Sequence, residues 1–232
     1  MRLRHVSRRV NLAKGKEQEM TTIDTTRLAR MFTAIADAMS ADRDRLCALD
    51  GVIGDADHGI AMELGFSAAR DAVAALDAAT TDPTALLNTA AKSFLNAVGA
   101  SSGPLYATAF MRGAAAVKGK TTLDEADTVA VFQAMAKGIQ DRGKAETGEK
   151  TMMDAWAPAA AAAGEALAAG KGLAGSFAAA AEAARTGAEA TKTMIATKGR
   201  ASRLGERSLG HMDPGAASAV TVIEAMRVTL TG

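Results

Sequence analysis

Apolar residues return every three or four positions along most of this 232-residue chain, and that single rhythm restricts what it can fold into. Leu28, Met31, Phe32, Ile35 and Met39 follow it, as do Leu87, Ala90, Ala91, Phe94, Leu95 and Val98. Val129, Phe132, Met135, Ala136 and Ile139 repeat it, and Val220, Ile223, Met226 and Leu230 carry it to the end. Such a stripe is one face of an α-helix, and no segment alternates as a strand would. The breakers divide the chain into eight helices, at about 22–48, 58–78, 84–98, 104–118, 123–142, 151–169, 173–197 and 215–230. Pro104 is expected at the first position of helix four. Pro158 falls inside a helical stretch and predicts a kink in helix six or a delayed start.

Composition narrows the choice. Aromatics are only 3% of the chain while 48% of it is apolar, so the core must be built largely from small side chains on closely packed helices. The single cysteine, Cys47, allows no internal disulfide and reads as a small buried apolar residue of a reducing compartment. No run of about 18 apolar residues exists to span a membrane. The net charge of +1 hides an asymmetry: residues 1–19 carry six basic and two acidic residues, the remainder 21 and 24. A slightly acidic body gives no support to nucleic-acid binding. Residues 1–20 read as a basic extension, either a flexible arm or an organellar-type leader or, as preferred, sequence upstream of a true start at Met20, with residues 21–232 as the domain.

The connections fall into two kinds. The second, fourth and sixth, "AATTDP", "KGKTT" and "AAGKGLAG", are short and bland. The first, third, fifth and seventh read "DGVIGDADHG", "GASSGP", "RGKAETGEKT" and "KGRASRLGERSLGHMDPG". In an up-and-down arrangement the odd connections share one end. The expected architecture is therefore an all-α, eight-helix antiparallel barrel or bundle with a site at one rim.

Each odd connection has its own chemistry. Asp50, Asp55 and Asp57 offer hard oxygen ligands suited to Mg²⁺, Ca²⁺ or Mn²⁺, with Gly51, Gly54 and Gly59 letting the backbone bring them together. Taken alone, "DADHG" reads equally well as a solvated acidic turn with an Asp N-cap. "GASSGPL" places hydroxyls and free N–H groups at a helix start, a ready phosphate site. "GKAETGEKT" misses the P-loop pattern because Glu149 intervenes and no strand precedes it. The seventh connection is too long for an idle link, and Arg200, Arg203 and Arg207 alternate there with glycines, as in an anion-gripping lid. Acidic ligands, a helix N-terminus and an arginine lid together describe a metal–polyphosphate site.

"IGDADHG", "GASSGPLY", "RGKAETGEKTMMDAW" and "KGRASRLGERSLGHMDPGA" resemble, in order and separation, the signature stretches of the nucleotide-binding L subunit of dihydroxyacetone kinases. The similarity covers roughly residues 22–230. It implies an eight-helix barrel in which Asp50, Asp55 and Asp57 hold two Mg²⁺ ions bridging to ADP or ATP. It implies nucleotide contacts from His58, Gly59, Ile60 and Ala61, and phosphate contacts from Ser101 and Ser102. Gly143 and Met152 would border the adenine, Arg200 would come from the lid, and Asp213, Pro214 and Gly215 would complete the pocket. Ala61 stands where the family usually has Asn, so one polar contact is lost. The resemblance also implies a cytoplasmic kinase subunit with no catalytic base of its own, phosphorylating dihydroxyacetone or a related ketose held by a K-type subunit. The phosphoryl donor is either exchanging ATP or a retained ADP recharged by a phosphocarrier M-type protein. A transcription regulator that reads the nucleotide state is the other partner implied.

Overall fold

Aspartates open four of the helices. Asp24, Asp82, Asp124 and Asp213 each accept a backbone N–H three residues ahead, at 2.7, 2.7, 2.8 and 2.7 Å. Asp124 and Asp127 form a reciprocal capping box, and Pro83 and Pro214 occupy first-turn positions behind their caps. The computed structural model describes residues 22–99 and 102–232. Its α-helices are α1 Thr25–Ile53, α2 His58–Ala74, α3 Pro83–Ala97, α4 Ser102–Ala116, α5 Glu125–Gly143, α6 Met153–Ala168, α7 Gly172–Ala190 and α8 Pro214–Thr231. Each packs on its neighbour in sequence, and α8 returns to α1. Short links between adjacent helices make this ring an antiparallel up-and-down barrel, as the periodicity predicts. Outside the helices, Ile23 and Leu123 form an isolated antiparallel bridge, with N–H to O distances of 2.8 and 2.9 Å. It ties the start of α1 to the α4–α5 connection.

Scarce aromatics are all spent inside. The six phenylalanines, Tyr106 and Trp156 are buried. Phe66 meets Phe94, Tyr106 and Phe110 edge-on at 5.0, 5.3 and 6.2 Å, and Phe132 joins Trp156 and Phe177 at 5.3 Å each. Alanines fill the remaining contacts between helices. No helix among the described residues is long and apolar enough to cross a membrane.

Several expected boundaries move. Helix α1 continues through Gly51 to Ile53, so Asp50 lies on a helix and not in a loop. A mid-helix glycine costs about 1 kcal/mol, and here the packing of α1 against α2 overrides it. Helix α2 stops at Ala74, and α7 stops at Ala190, where 3₁₀ turns Thr191–Thr193 and Arg200–Ser208 take over. Pro104 is the third residue of α4, not its first. Helix α6 runs through Pro158 without interruption. The Asp154 carbonyl that loses its partner there lies against the backbone of Gly187 on α7. Leu95 belongs to the stripe by spacing but is 43% exposed, and Cys47 is half-buried where a buried residue was expected. Residues 1–20, expected as a basic extension, lie outside the described residues.

Candidate functional site

The connections α1–α2, α5–α6 and α7–α8, with the start of α4 and the helix ends beside them, line a cavity of about 300 Å³. No residue of the α2–α3, α4–α5 or α6–α7 connections lines it. The alternation of bland and polar links therefore marks a scaffold end and a site end.

Asp50 organises the first link. Its Oδ2 accepts the N–H groups of Asp57 and His58, at 3.0 and 3.3 Å, and so caps α2 from the last turn of α1. Asp57 occupies the N-cap position but makes no side-chain cap bond, which leaves its carboxylate available. Gly54 is required by proximity: a Cβ there would sit 2.2 Å from Asp50 Oδ1. Ala56 turns the chain at φ 62°. As a result, one oxygen each from Asp50, Asp55 and Asp57 lie within 4.8 Å of one another, the first carboxylate buried and the other two exposed. Three hard oxygens this close fit a divalent cation such as Mg²⁺. His58 follows, with Nε2 2.9 Å from Ser218 Oγ. Burial holds its pKa below the usual histidine value, against the pull of Asp50 and a backbone hydrogen bond to Pro214. The lowered pKa favours the neutral ring, whose Nε2 is engaged by Ser218.

Ser102 opens α4 at the edge of the cavity and is buried. Ser101 lies outside the described residues. The apolar part of the lining comes from Leu105, Ile139, Gly143, Met152 and Met153. Asp213 caps α8, with Pro214 and Gly215 beside it on the same wall. Burial raises the Asp213 carboxyl to about 7, and the charges of Asp154 and Asp50 add to that. Arg200 projects from the seventh connection and ion-pairs with Asp55, while its Nη1 lies 3.6 Å from Asp57 Oδ2.

Three expected contact residues do not line this cavity. Ile60 and Ala61 line a second cavity, of about 320 Å³, which shares Asp57, His58, Ser102 and Arg200 with the first. Gly59 lines neither cavity; it is buried where α2 meets the Arg43 carbonyl of α1, a packing position.

Lys150 and Asp154 were not anticipated from sequence. Lys150 is 1% exposed, and its ammonium donates to the carbonyls of Thr191 and His211, at the two ends of the seventh connection. Burial lowers its pKa, while Asp213 and Asp154 draw it back up. Asp154, also buried, accepts the N–H groups of Gly148 and Thr151, the second at 2.8 Å, and so shapes the fifth connection. The lysine was visible only as the end of a failed P-loop pattern. Its partners stand 41 and 61 residues away, beyond the reach of local pattern.

Comparison with known proteins agrees with this fold. The DAK2 domain model matches residues 52–228. "PEP-dependent dihydroxyacetone kinase, ADP-binding subunit DhaL" of Escherichia coli (strain K12) is 37% identical over 203 residues, 88% of this chain and 96% of that one. "PEP-dependent dihydroxyacetone kinase 2, ADP-binding subunit DhaL" of Listeria innocua is 41% identical over 180 residues, 76% and 82% of the two chains. The crystal structure of the dihydroxyacetone kinase from C. freundii in complex with AMP-PNP and Mg²⁺ superposes with a TM-score of 0.68. It covers 98% of this chain and 38% of that one at 23% identity, and so shares the fold. The family model and two relatives matched over most of their length place this eight-helix chain in the DAK2 domain family.

Proposed function

We propose that residues 21–232 form the nucleotide-binding subunit of a cytoplasmic kinase acting on dihydroxyacetone or a related small ketose. The chain would hold ADP or ATP with Mg²⁺ and present the terminal phosphoryl group to a ketose bound on a separate K-type subunit. The observation that carries this reading is convergence: three carboxylates, a helix N-terminus, an apolar wall and a lid arginine meet at one rim cavity. The E. coli and L. innocua relatives are ADP-binding subunits by name, and the C. freundii structure contains AMP-PNP and Mg²⁺.

The residues divide the work by chemistry. Asp50, Asp55 and Asp57 hold the metal, with an expected stoichiometry of two ions. Held there, Mg²⁺ would supply the positive charge that offsets phosphate charge before and during transfer. Ser101, Ser102 and the N–H groups at the start of α4 hold phosphate oxygens. Gly143 and Met152 border the base, and Asp213, Pro214 and Gly215 close the wall beneath it. His58 stays neutral and positions the start of α2. Ile60 and Ala61, expected nucleotide contacts, line the adjoining second cavity beside His58. No side chain here is assigned as a general base, because positioning and charge neutralisation supply most of a phosphoryl transfer.

The relatives' "PEP-dependent" and "ADP-binding" names favour a retained ADP recharged by a phosphocarrier protein over freely exchanging ATP. Asp55→Ala is the direct test of the metal bridge. Mg²⁺-dependent nucleotide affinity should fall at least tenfold, about 1.4 kcal/mol, while the far-ultraviolet helical signal is unchanged. Wild-type affinity in that variant would refute the assignment.

A further inference from the structure

The three carboxylates at the rim already have a positive charge from the chain itself beside them. Arg200 pairs with Asp55 and reaches toward Asp57, while Asp50 is occupied at α2. The segment that delivers Arg200 has a fixed base. Lys150 bonds the carbonyls of Thr191 and His211, Gly210 N–H donates to Lys192 O at 2.7 Å, and Ala196 N–H donates to Ser208 Oγ at 2.9 Å. On its near side Thr197 is held to Glu149 by its N–H, at 3.3 Å, and by its hydroxyl. Immediately beyond that anchor the backbone breaks at Gly199, with φ 63° and ψ −162°, and it breaks again at Gly205, with φ 56° and ψ −129°. Arg200 therefore sits at the start of a tip pivoted on two glycines above a rigid base.

A guanidinium does not lose its charge in a protein. It cannot occupy Asp55 and Asp57 together with a divalent cation without repulsion at close range. The Arg200, Asp55 and Asp57 side chains are 54%, 46% and 60% exposed, so these pairs are of the weak, displaceable kind. Arg200 also lines both cavities, so a guanidinium driven off the carboxylates still faces the space where an anion would lie.

We propose that Arg200 is a metal-displaceable latch. Without a divalent cation it neutralises Asp55 and Asp57 and holds the tip of the seventh connection against the first. A cation arriving on Asp50, Asp55 and Asp57 evicts it, and the freed guanidinium turns to the phosphates that accompany the metal. The proposal rests on the reading of the three aspartates as a metal site. It adds that metal affinity and the position of the tip are linked, so that each reports the other.

The test uses the full chain freed of nucleotide and metal, with Mn²⁺ alone as titrant. Two exposed ion pairs compete with the ion, so Arg200→Gln should bind Mn²⁺ about three- to thirtyfold tighter than wild type, equivalent to about 0.6–2 kcal/mol at 1.4 kcal/mol per tenfold. Arg200→Lys keeps the charge on a flexible stem and should fall between the two. In wild type, Mn²⁺ alone should speed hydrogen exchange over residues 199–207; in Arg200→Gln that segment should already exchange fast and ignore the ion. Equal or weaker Mn²⁺ binding by Arg200→Gln, with normal wild-type binding, overturns the latch and leaves the metal site standing. Binding by neither chain overturns the metal site and the latch with it.

Discussion

Gly54→Ala adds one methyl group at the edge of the barrel and should act well beyond its size. The new Cβ would lie 2.2 Å from Asp50 Oδ1, 2.9 Å from its Cγ and 3.0 Å from its carbonyl oxygen. Asp50 cannot swing aside freely, because its other oxygen holds the N–H groups of Asp57 and His58 and the residue is only 9% exposed. Hydrogen bonds to a charged group contribute about 1.5–3 kcal/mol each, and partial re-solvation returns some of that. We expect a loss of about 2–3 kcal/mol, which for a chain of this size is a fall in Tm of roughly 5–10 °C. Calorimetry of the ligand-free chain measures the stability, and Mn²⁺ titration measures the site, where affinity should drop at least tenfold, about 1.4 kcal/mol. A double-mutant cycle isolates the cause: in an Asp50→Ala background the same methyl should cost less than in wild type, because only the contact with the residue-50 carbonyl oxygen remains. A Gly54→Ala chain that melts within a degree or two of wild type and binds metal normally would refute the placement of the Asp50 carboxylate.

Other expectations follow from burial. Leu87→Ala should cost about 2–5 kcal/mol in urea unfolding, because the side chain is fully buried; Leu95→Ala, 43% exposed, should cost under about 1 kcal/mol. Burial sets the Asp213 carboxyl to about 7 in the folded chain, against about 3.9 for an unfolded aspartate. Between those values the native chain holds a proton that the unfolded chain has released, so this group makes stability fall as pH rises from about 4 to about 7, by roughly 3–4 kcal/mol, and level off above. Asp213→Asn retains the cap and should flatten that part of the profile; a slope identical to wild type would show that the carboxyl is not raised.

The helices were legible because their core faces repeat at a helical period. The site end was legible for a simpler reason: long links rich in Gly, Ser, Asp and Arg alternate with bland ones, and up-and-down packing gathers alternate links at one end. What sequence concealed was long-range. Gly51 looks like a stop signal, yet α1 passes through it, because packing on α2 and the cap that Asp50 supplies both need one more turn. Leu95 fits the stripe by spacing but falls on its exposed margin. The tight 3₁₀ winding of residues 200–208 has no apolar period to announce it. Lys150 gains its role only when carbonyls 41 and 61 residues away close over it. Gly59, a nucleotide contact by family resemblance, lies against the α1 backbone at Arg43, a proximity that no local pattern announces.

One measurement bears most directly on the central claim. The chain is purified without added nucleotide, denatured, and the released ADP and ATP are quantified by chromatography. Nucleotide retention predicts about one ADP per chain in the wild type and little in Asp55→Ala. An empty wild-type chain that binds Mg²⁺–ATP reversibly would replace the retained cofactor with an exchanging substrate. An empty chain that binds neither nucleotide in the presence of Mg²⁺ would contradict the assignment of the rim cavity altogether.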